Sequence, residues 1–302
     1  MYDILIIGGG PAGLTAAVYA LRAGKSVLVI EKNGFGGQIA FSPKVENIPG
    51  TQQISGAAFA EALVEQAMAL GADVELETVT AVEKAENGFR VLTEEGSAFE
   101  GRAVILALGV KHRMLGLPGE EELIGNGISF CAVCDGAFYA GQEVAMIGGG
   151  NSALQEALLL SEVCTKVTIV QNLAFLTGEK KLADALAEKE NVTILYSTVV
   201  SEYETKDGAL CGLKLHNDET GEESRISVDG AFLAVGLQPE NEPFAQWADL
   251  NDWGYFDSGE DCCTKTEGIF VAGDCRSKRI RQVVTASADG AIAAMAACHW
   301  LD

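Results

Sequence analysis

Residues 131–135 read Cys-Ala-Val-Cys-Asp. Two intervening residues bring a pair of sulfurs within disulfide geometry when the first cysteine begins a helical turn. A helix start and a small loop also lower thiol pKa values and poise the pair for thiol–disulfide exchange. Asp135, next to Cys134, is placed to hand a proton to or from a leaving thiolate. Zinc is the rival use of such a pair, but a structural zinc site needs four ligands, usually a second pair of Cys or His. His112, His216 and His299 stand singly, and Cys262 and Cys263 are adjacent rather than spaced as a second pair. No metal site is expected. Cys164, Cys211, Cys275 and Cys298 read as core or surface thiols without a role.

The elements that must carry this pair come as an internal repeat. Residues 3–31 read DILIIGGGPAGLTAAVYALRAGKSVLVIE, and residues 143–171 read EVAMIGGGNSALQEALLLSEVCTKVTIVQ. Each is an apolar strand, a glycine turn, an amphipathic helix and a β-branched strand, the βαβ unit of a dinucleotide-binding fold. In the first copy Gly8, Gly10 and Gly13 have the full G-x-G-x-x-G spacing. Such glycines permit the tight turn, the approach of backbone to a pyrophosphate and close helix–strand packing. The helix start adds partial positive charge for the phosphates. Glu31 closes the second strand, where a carboxylate accepts hydrogen bonds from ribose hydroxyls. The second copy has Gly148, Gly150 and Ala153, and Gln171 stands where Glu31 stands in the first. An NAD site wants a carboxylate there, and an NADP site wants arginine nearby. Asn172, Leu173 and Ala174 follow, and the nearest downstream cations are Lys180 and Lys181. The second copy therefore reads as a scaffold without a working nicotinamide site.

A β-rich stretch over 73–109 follows the first copy and ends in AVILALG, and DGAFLAVG (229–236) follows the second. The expected fold is α/β, with two Rossmann-like dinucleotide-binding domains of three-layer ββα type, the second inserted in the first. Residues 1–116 and 241–302 would form the first domain and 117–240 the second. At 302 residues the chain is long enough for both. A net charge of −22 disfavours nucleic acid and anionic membranes as partners. RSKRIR (276–281) is the densest basic run, and solvated side chains explain Lys278 and Arg279 as well as a partner does. The first apolar run lacks a basic leader and enters a glycine turn, and no segment approaches a membrane span, so a cytoplasmic location is expected.

With the glycine fingerprint at 8–13, CAVCDG at 131–136 and GIFVAGD at 268–274 in this order, the chain resembles the low-molecular-weight thioredoxin reductases. GGQ (36–38), ENIPG (46–50), LGLPGE (115–120), GGGNSA (148–153) and RQVVTASADGAIAA (281–294) extend the likeness along nearly the whole chain. The resemblance implies FAD in the first domain. Gly8, Gly10, Ala12 and Gly13 would line its pyrophosphate, Glu31 its adenosine ribose, and Gln38 and Asn47 the flavin neighbourhood. Asp274 would hold the ribityl chain, with Arg281, Gln282 and Ala288 beside the flavin. Val79 and Gly109 complete the implied cofactor set. Cys134 would face the flavin, Cys131 would exchange with the thioredoxin disulfide, and Asp135 would be the general acid and base. The resemblance also implies a homodimer, which the apolar face of a C-terminal helix over about 285–300 could pack, although ordinary core explains that face equally well.

One departure matters. NADPH-dependent members carry a His-Arg-Arg cluster, and another Arg a few residues on, where this chain reads Val170-Gln171-Asn172-Leu173-Ala174-Phe175-Leu176. The stretch is similar to that of the ferredoxin-dependent flavin thioredoxin reductases, so reduced ferredoxin is the expected electron donor. Lys278, Arg279 or the Lys111–Arg113 segment would form its docking patch. The alternatives are an NADPH enzyme clamping phosphate with Lys180 or Lys181, a flavin disulfide oxidase, and a non-catalytic flavin redox sensor.

Overall fold

An apolar run without polar alternation belongs between two other strands. β1 (Tyr2–Ile7) is such a run, buried over its last four residues. In the computed structural model, which describes residues 1–42 and 45–302, β1 pairs in parallel with β2 (Val27–Glu31) and β6 (Ala98–Leu106). Two compact units result. One comprises Met1–Ala40, Ile48–Lys111 and Gln238–Asp302; the other comprises Phe41–Asn47 and His112–Leu237. The chain changes units within β7 (Lys111–His112) and β16 (Leu237–Gln238), a few residues before positions 116/117 and 240/241.

In the first unit β3 (Asp73–Leu76) extends the parallel sheet beyond β2, and β4 (Val79–Ala85) and β5 (Gly88–Thr93) form an antiparallel ribbon on the far side. β6 is shared: its residues 98–101 pair with β5, while its residues 104–106 pair in parallel with β17 (Ile269–Val271). The returning chain thus completes the first sheet. α1 (Pro11–Arg22) and α6 (Val283–Leu301) pack together through small residues, among them Ala12, Ala286, Gly290 and Ala293. A Cβ on Gly290 would collide with the Ala12 carbonyl, 2.9 Å from its carbon. α2 (Gly56–Ala69), capped by Ser55, also packs on α1.

The second unit repeats the plan. Its all-parallel sheet runs β11 (Val192–Leu195), β10 (Lys166–Val170), β9 (Glu143–Ile147), β15 (Gly230–Leu233), β8 (Ile128–Ser129). β12 (Thr198–Lys206), β13 (Ala209–Asn217) and β14 (Glu223–Ser227) form the antiparallel layer. α3 (Ala132–Asp135), α4 (Asn151–Ser161) and α5 (Lys180–Ala187) complete it. β8 takes the sheet position that β17 takes in the first unit. The loop after β17 carries Asp274, and the loop after β8 carries Cys131. Among the described residues no helix is long and apolar enough to cross a membrane.

Candidate functional site

The first unit builds a cradle around the start of α1. Gly8 holds a φ of +108°, open to glycine, and a Cβ there would sit 2.8 Å from the Ala107 carbonyl carbon. A Cβ on Gly13 would run into the Gly8 carbonyl, so the helix lies directly on the turn. Gly10 is the N-cap and offers no side-chain cap, Pro11 follows, and the first turn carries no acidic residue. That leaves a helix start suited to an anion. Glu31 accepts from Gly9 N at 2.7 Å and from Asn33 N at 3.0 Å. Gly273 abuts Ala12, which brings Asp274 to the same place. One carboxyl oxygen of Asp274, Oδ1, is buried without a hydrogen-bond partner, 3.6 Å from Lys278 Nζ. Burial pushes this carboxyl up, against the pull of Lys278 and Arg281.

Gly8, Gly10, Ala12, Gly13, Glu31 and Asp274 therefore meet around one helix start. Arg281 donates to the Asp274 carbonyl at 3.2 Å and lies over the Tyr255 ring. Gln282 caps α6 reciprocally with Thr285. Gln38 is exposed and donates to the Val110 carbonyl. Val79 lies on β4, Gly109 follows β6, Ala288 is exposed on α6, and Asn47 falls in the stretch that groups with the second unit.

Lys278 is a correction to the expected docking patch. Its side chain is 12% exposed and donates to Asp289 at 2.9 Å. Arg276, at 7% exposure, pairs with the other Asp289 oxygen at 2.8 Å and also holds Ser258 and Gly259. Two of the four cations in the RSKRIR run are thus interior structure. The missing signal was Asp289, which lies a dozen residues downstream and reaches the run only through folding.

The second unit carries the cysteines. Cys131 is the N-cap of α3 in extended conformation, and its Cα lies 5.3 Å from that of Cys134, to which it is disulfide-bonded. Cys134 N donates to Cys131 Sγ and to Cys131 O, each at 3.2 Å. Asp135 is buried. Ser129 Oγ donates to its Oδ2 at 2.6 Å and accepts from Cys131 N at 3.1 Å, while Oδ1 has no partner. Burial raises this carboxyl and the Ser129 bond opposes the rise. Such a group holds a proton more readily than a surface aspartate and has a vacant oxygen to take it. Ser129 carries no sequence signature. Nor does Glu156 of α4, whose Oε2 accepts from Ala132 N at 3.1 Å.

The second glycine turn keeps the geometry of the first. Gly148 holds a φ of +128° with Ala234 O 2.5 Å from a would-be Cβ. Gln171 is buried against Gly149 and donates its amide to the Phe175 carbonyl at 3.0 Å. Gln171 thus donates within its own turn, where Glu31 accepts from backbone N–H groups in the first unit. Thr177 N and Gly178 N both donate to Gly149 O, at 2.8 and 2.9 Å. Lys180 is engaged by both oxygens of Asp184, at 2.8 and 2.9 Å.

A disulfide in one unit and a dinucleotide cradle in the other are the parts of a dinucleotide-linked disulfide oxidoreductase. Residues 2–290 match the family model described as pyridine nucleotide-disulphide oxidoreductase, and the chain belongs to that family. It is 40% identical over 302 residues to "Thioredoxin reductase" of Bacillus subtilis (strain 168), covering 100% of this chain and 95% of the relative. A "34.2 kDa protein in rubredoxin operon" of Clostridium pasteurianum is 38% identical, over 98% and 96%. The crystal structure of thioredoxin reductase from Streptococcus pyogenes MGAS5005 superposes with a TM-score of 0.92 at 37% identity, covering 100% of this chain and 98% of that one. Thioredoxin reductases of this family are FAD-binding flavoproteins. The cradle fits that group: Gly8 and Gly13 make a turn that no side chain would fit, the helix start is uncapped, and Asp274 has a buried oxygen without a hydrogen-bond partner.

Proposed function

We propose that this chain is an FAD-dependent thioredoxin-disulfide reductase that draws electrons from reduced ferredoxin rather than from NADPH. The observation that carries the disulfide chemistry is Asp135, buried beside the paired cysteines with one oxygen unpartnered. FAD would supply the two electrons. Gly8, Gly10, Ala12 and Gly13 would hold its pyrophosphate, Glu31 its ribose and Asp274 its ribityl hydroxyls. Gln38, Asn47, Val79, Gly109, Arg281, Gln282 and Ala288 belong to the same proposed set. In the reduced pair, Cys131 attacks the thioredoxin disulfide and a mixed disulfide forms. Cys134 then displaces the thioredoxin thiol, and Asp135 passes the proton that the departing sulfur needs. Residues 1–116 and 241–302 would be the FAD domain, and 117–240 the inserted domain that carries the pair.

Gln171 supports the choice of donor. A buried amide bonded to Phe175, followed by Asn172, Leu173 and Ala174, leaves no carboxylate for an NAD ribose and no arginine for a 2′-phosphate. Lys180, the cation nearest to that role, is paired with Asp184. Arg113 and Arg279 are exposed and suit an acidic ferredoxin. The exposed side chains of Val284, Ile292 and Met295 along α6 support a homodimer.

Anaerobic mixing with NADPH tests the donor. The flavin should stay oxidised with NADPH and bleach with reduced ferredoxin. Rapid bleaching at micromolar NADPH would refute the ferredoxin reading. Dithionite-reduced enzyme should reduce thioredoxin, and Cys134→Ser should abolish that reduction; an unaffected variant points to a sensor instead. Steady oxygen uptake with a small dithiol would favour the oxidase.

A further inference from the structure

We infer that Glu156 is a positioning residue for the cysteine pair: it holds the first turn of α3 and couples proton uptake at its own carboxyl to reduction of the Cys131–Cys134 disulfide. The inference rests on that pair being the redox centre and extends it to a group outside the C-x-x-C-D motif.

The geometry comes from the face that α4 turns toward α3. Ala153, Ala157 and Leu160 are buried on it, and a Cβ on Gly136 would touch Leu160 at 3.2 Å. Glu156 stands one turn before Leu160 on that face. Its Oε2 takes the Ala132 N–H at 3.1 Å, immediately after the N-cap cysteine. The carboxylate therefore pins the turn that sets the two sulfurs.

Charges around it do not compensate. α4 packs on α3, α5, β9 and β10. Lys180 and Asp184 of α5 pair with each other in solvent, and Lys181 of α5 is exposed. Lys166 of β10 and Glu143 of β9 form an exposed pair. Tyr139, beyond α3, is itself raised by burial and by Asp135 and Asp229, and so is neutral near pH 7. The charged group that acts on Glu156 is Asp135, which repels its anion. Burial with this repulsion, opposed by the Ala132 bond, pushes Glu156 up to about 7.

Reduction adds charge at this place. A dithiol opens the disulfide: the S–S bond breaks, two electrons arrive on the sulfurs, and the donor becomes a disulfide. Of the two protons the donor releases, one completes a cysteine thiol and the other goes to the Glu156 carboxylate, because the second sulfur remains a thiolate whose negative charge raises the proton affinity of Glu156 further. At a pH well below about 7, Glu156 is protonated in both redox states and adds nothing. Above that pH its negative charge opposes reduction until it takes up the proton.

The test is the dithiol–disulfide equilibrium of the FAD-loaded protein in lipoic acid redox buffers from pH 5.5 to 9, read by alkylation of Cys131 and Cys134. Glu156→Gln keeps an acceptor for Ala132 N–H and loses the charge. Its reduction equilibrium should match wild type at pH 5.5 and exceed it about tenfold at pH 8.5, the size of a one-unit pKa change on reduction. Glu156→Asp should retain the wild-type pH profile. Parallel profiles for wild type and Glu156→Gln, whether superposed or offset equally at every pH, would overturn the coupling and leave only a helix cap. No thioredoxin or ferredoxin enters the measurement, so the donor assignment can fail without affecting it. A wild-type pair that never exchanges with the dithiol would remove the redox reading itself.

Discussion

Asp289→Asn should cost the protein about 3 kcal/mol, because two interior cations share that one carboxylate. Arg276 Nη1 lies 2.8 Å from Oδ1 and Lys278 Nζ 2.9 Å from Oδ2, with side-chain exposures of 7% and 12%. Gly273 N also donates to Oδ2, at 3.1 Å. The amide preserves shape but accepts at one atom only, and its NH2 would face a cation. Breaking a buried pair by removing one partner costs about 3–5 kcal/mol. The lower end applies here because Asp274 stands 3.6 Å from Lys278 and Ser258 still accepts from Arg276. Such a loss is large against a total stability of about 5–15 kcal/mol. At roughly 2–4 °C per kcal/mol for a chain of this order of size, Tm should fall by about 6–12 °C. Urea and thermal unfolding of the FAD-loaded variant at pH 7.5 measure both. Adding Lys278→Met removes the stranded cation and should restore part of the loss, a non-additivity expected of touching groups. A loss under about 1 kcal/mol, or strict additivity in the double variant, would refute the reasoning and mean that water reaches the cations.

His112 stacks on Phe130 with ring centroids 4.4 Å apart, and burial holds it down at about 4. Its folded pKa lies below the unfolded value near 6.5, so its contribution is present above pH 6.5 and is lost as pH falls toward 4. Relative to His112→Phe, the wild type should lose about 1–2 kcal/mol between pH 7.5 and pH 5; a pH-independent difference in urea unfolding would count against this. Gly290→Ala places a methyl against the Ala12 carbonyl and must spread α1 from α6. It should cost at least about 1–3 kcal/mol and loosen FAD, seen as a lower Tm and faster release of flavin fluorescence, since Ala12 also abuts the cradle; unchanged values would mean that the helices part freely.

Much of the cradle was legible because its chemistry is local. Gly8, Gly10 and Gly13 are glycines for backbone reasons that act within one turn, and Glu31 ends the strand beside that turn. The cysteine pair is likewise a matter of one helical turn, Cys131 to Asp135. The loss of the ribose carboxylate at Gln171 could be read by laying one repeat over the other. The structure added where the amide goes: it donates to the Phe175 carbonyl.

Lys278 was misread because its partner, Asp289, is on another element. A basic run looks solvated until folding brings a carboxylate against it. Ser129 and Glu156 were invisible for the same reason, since each reaches α3 from a neighbouring strand or helix. The residue types, the two βαβ repeats and the paired cysteines were determined by the sequence alone, because short-range sterics and covalent spacing suffice for them. Tertiary structure alone decided which charges are buried and which carboxyls face the disulfide. Desolvation and charge proximity depend on distances through space, not on distances along the chain.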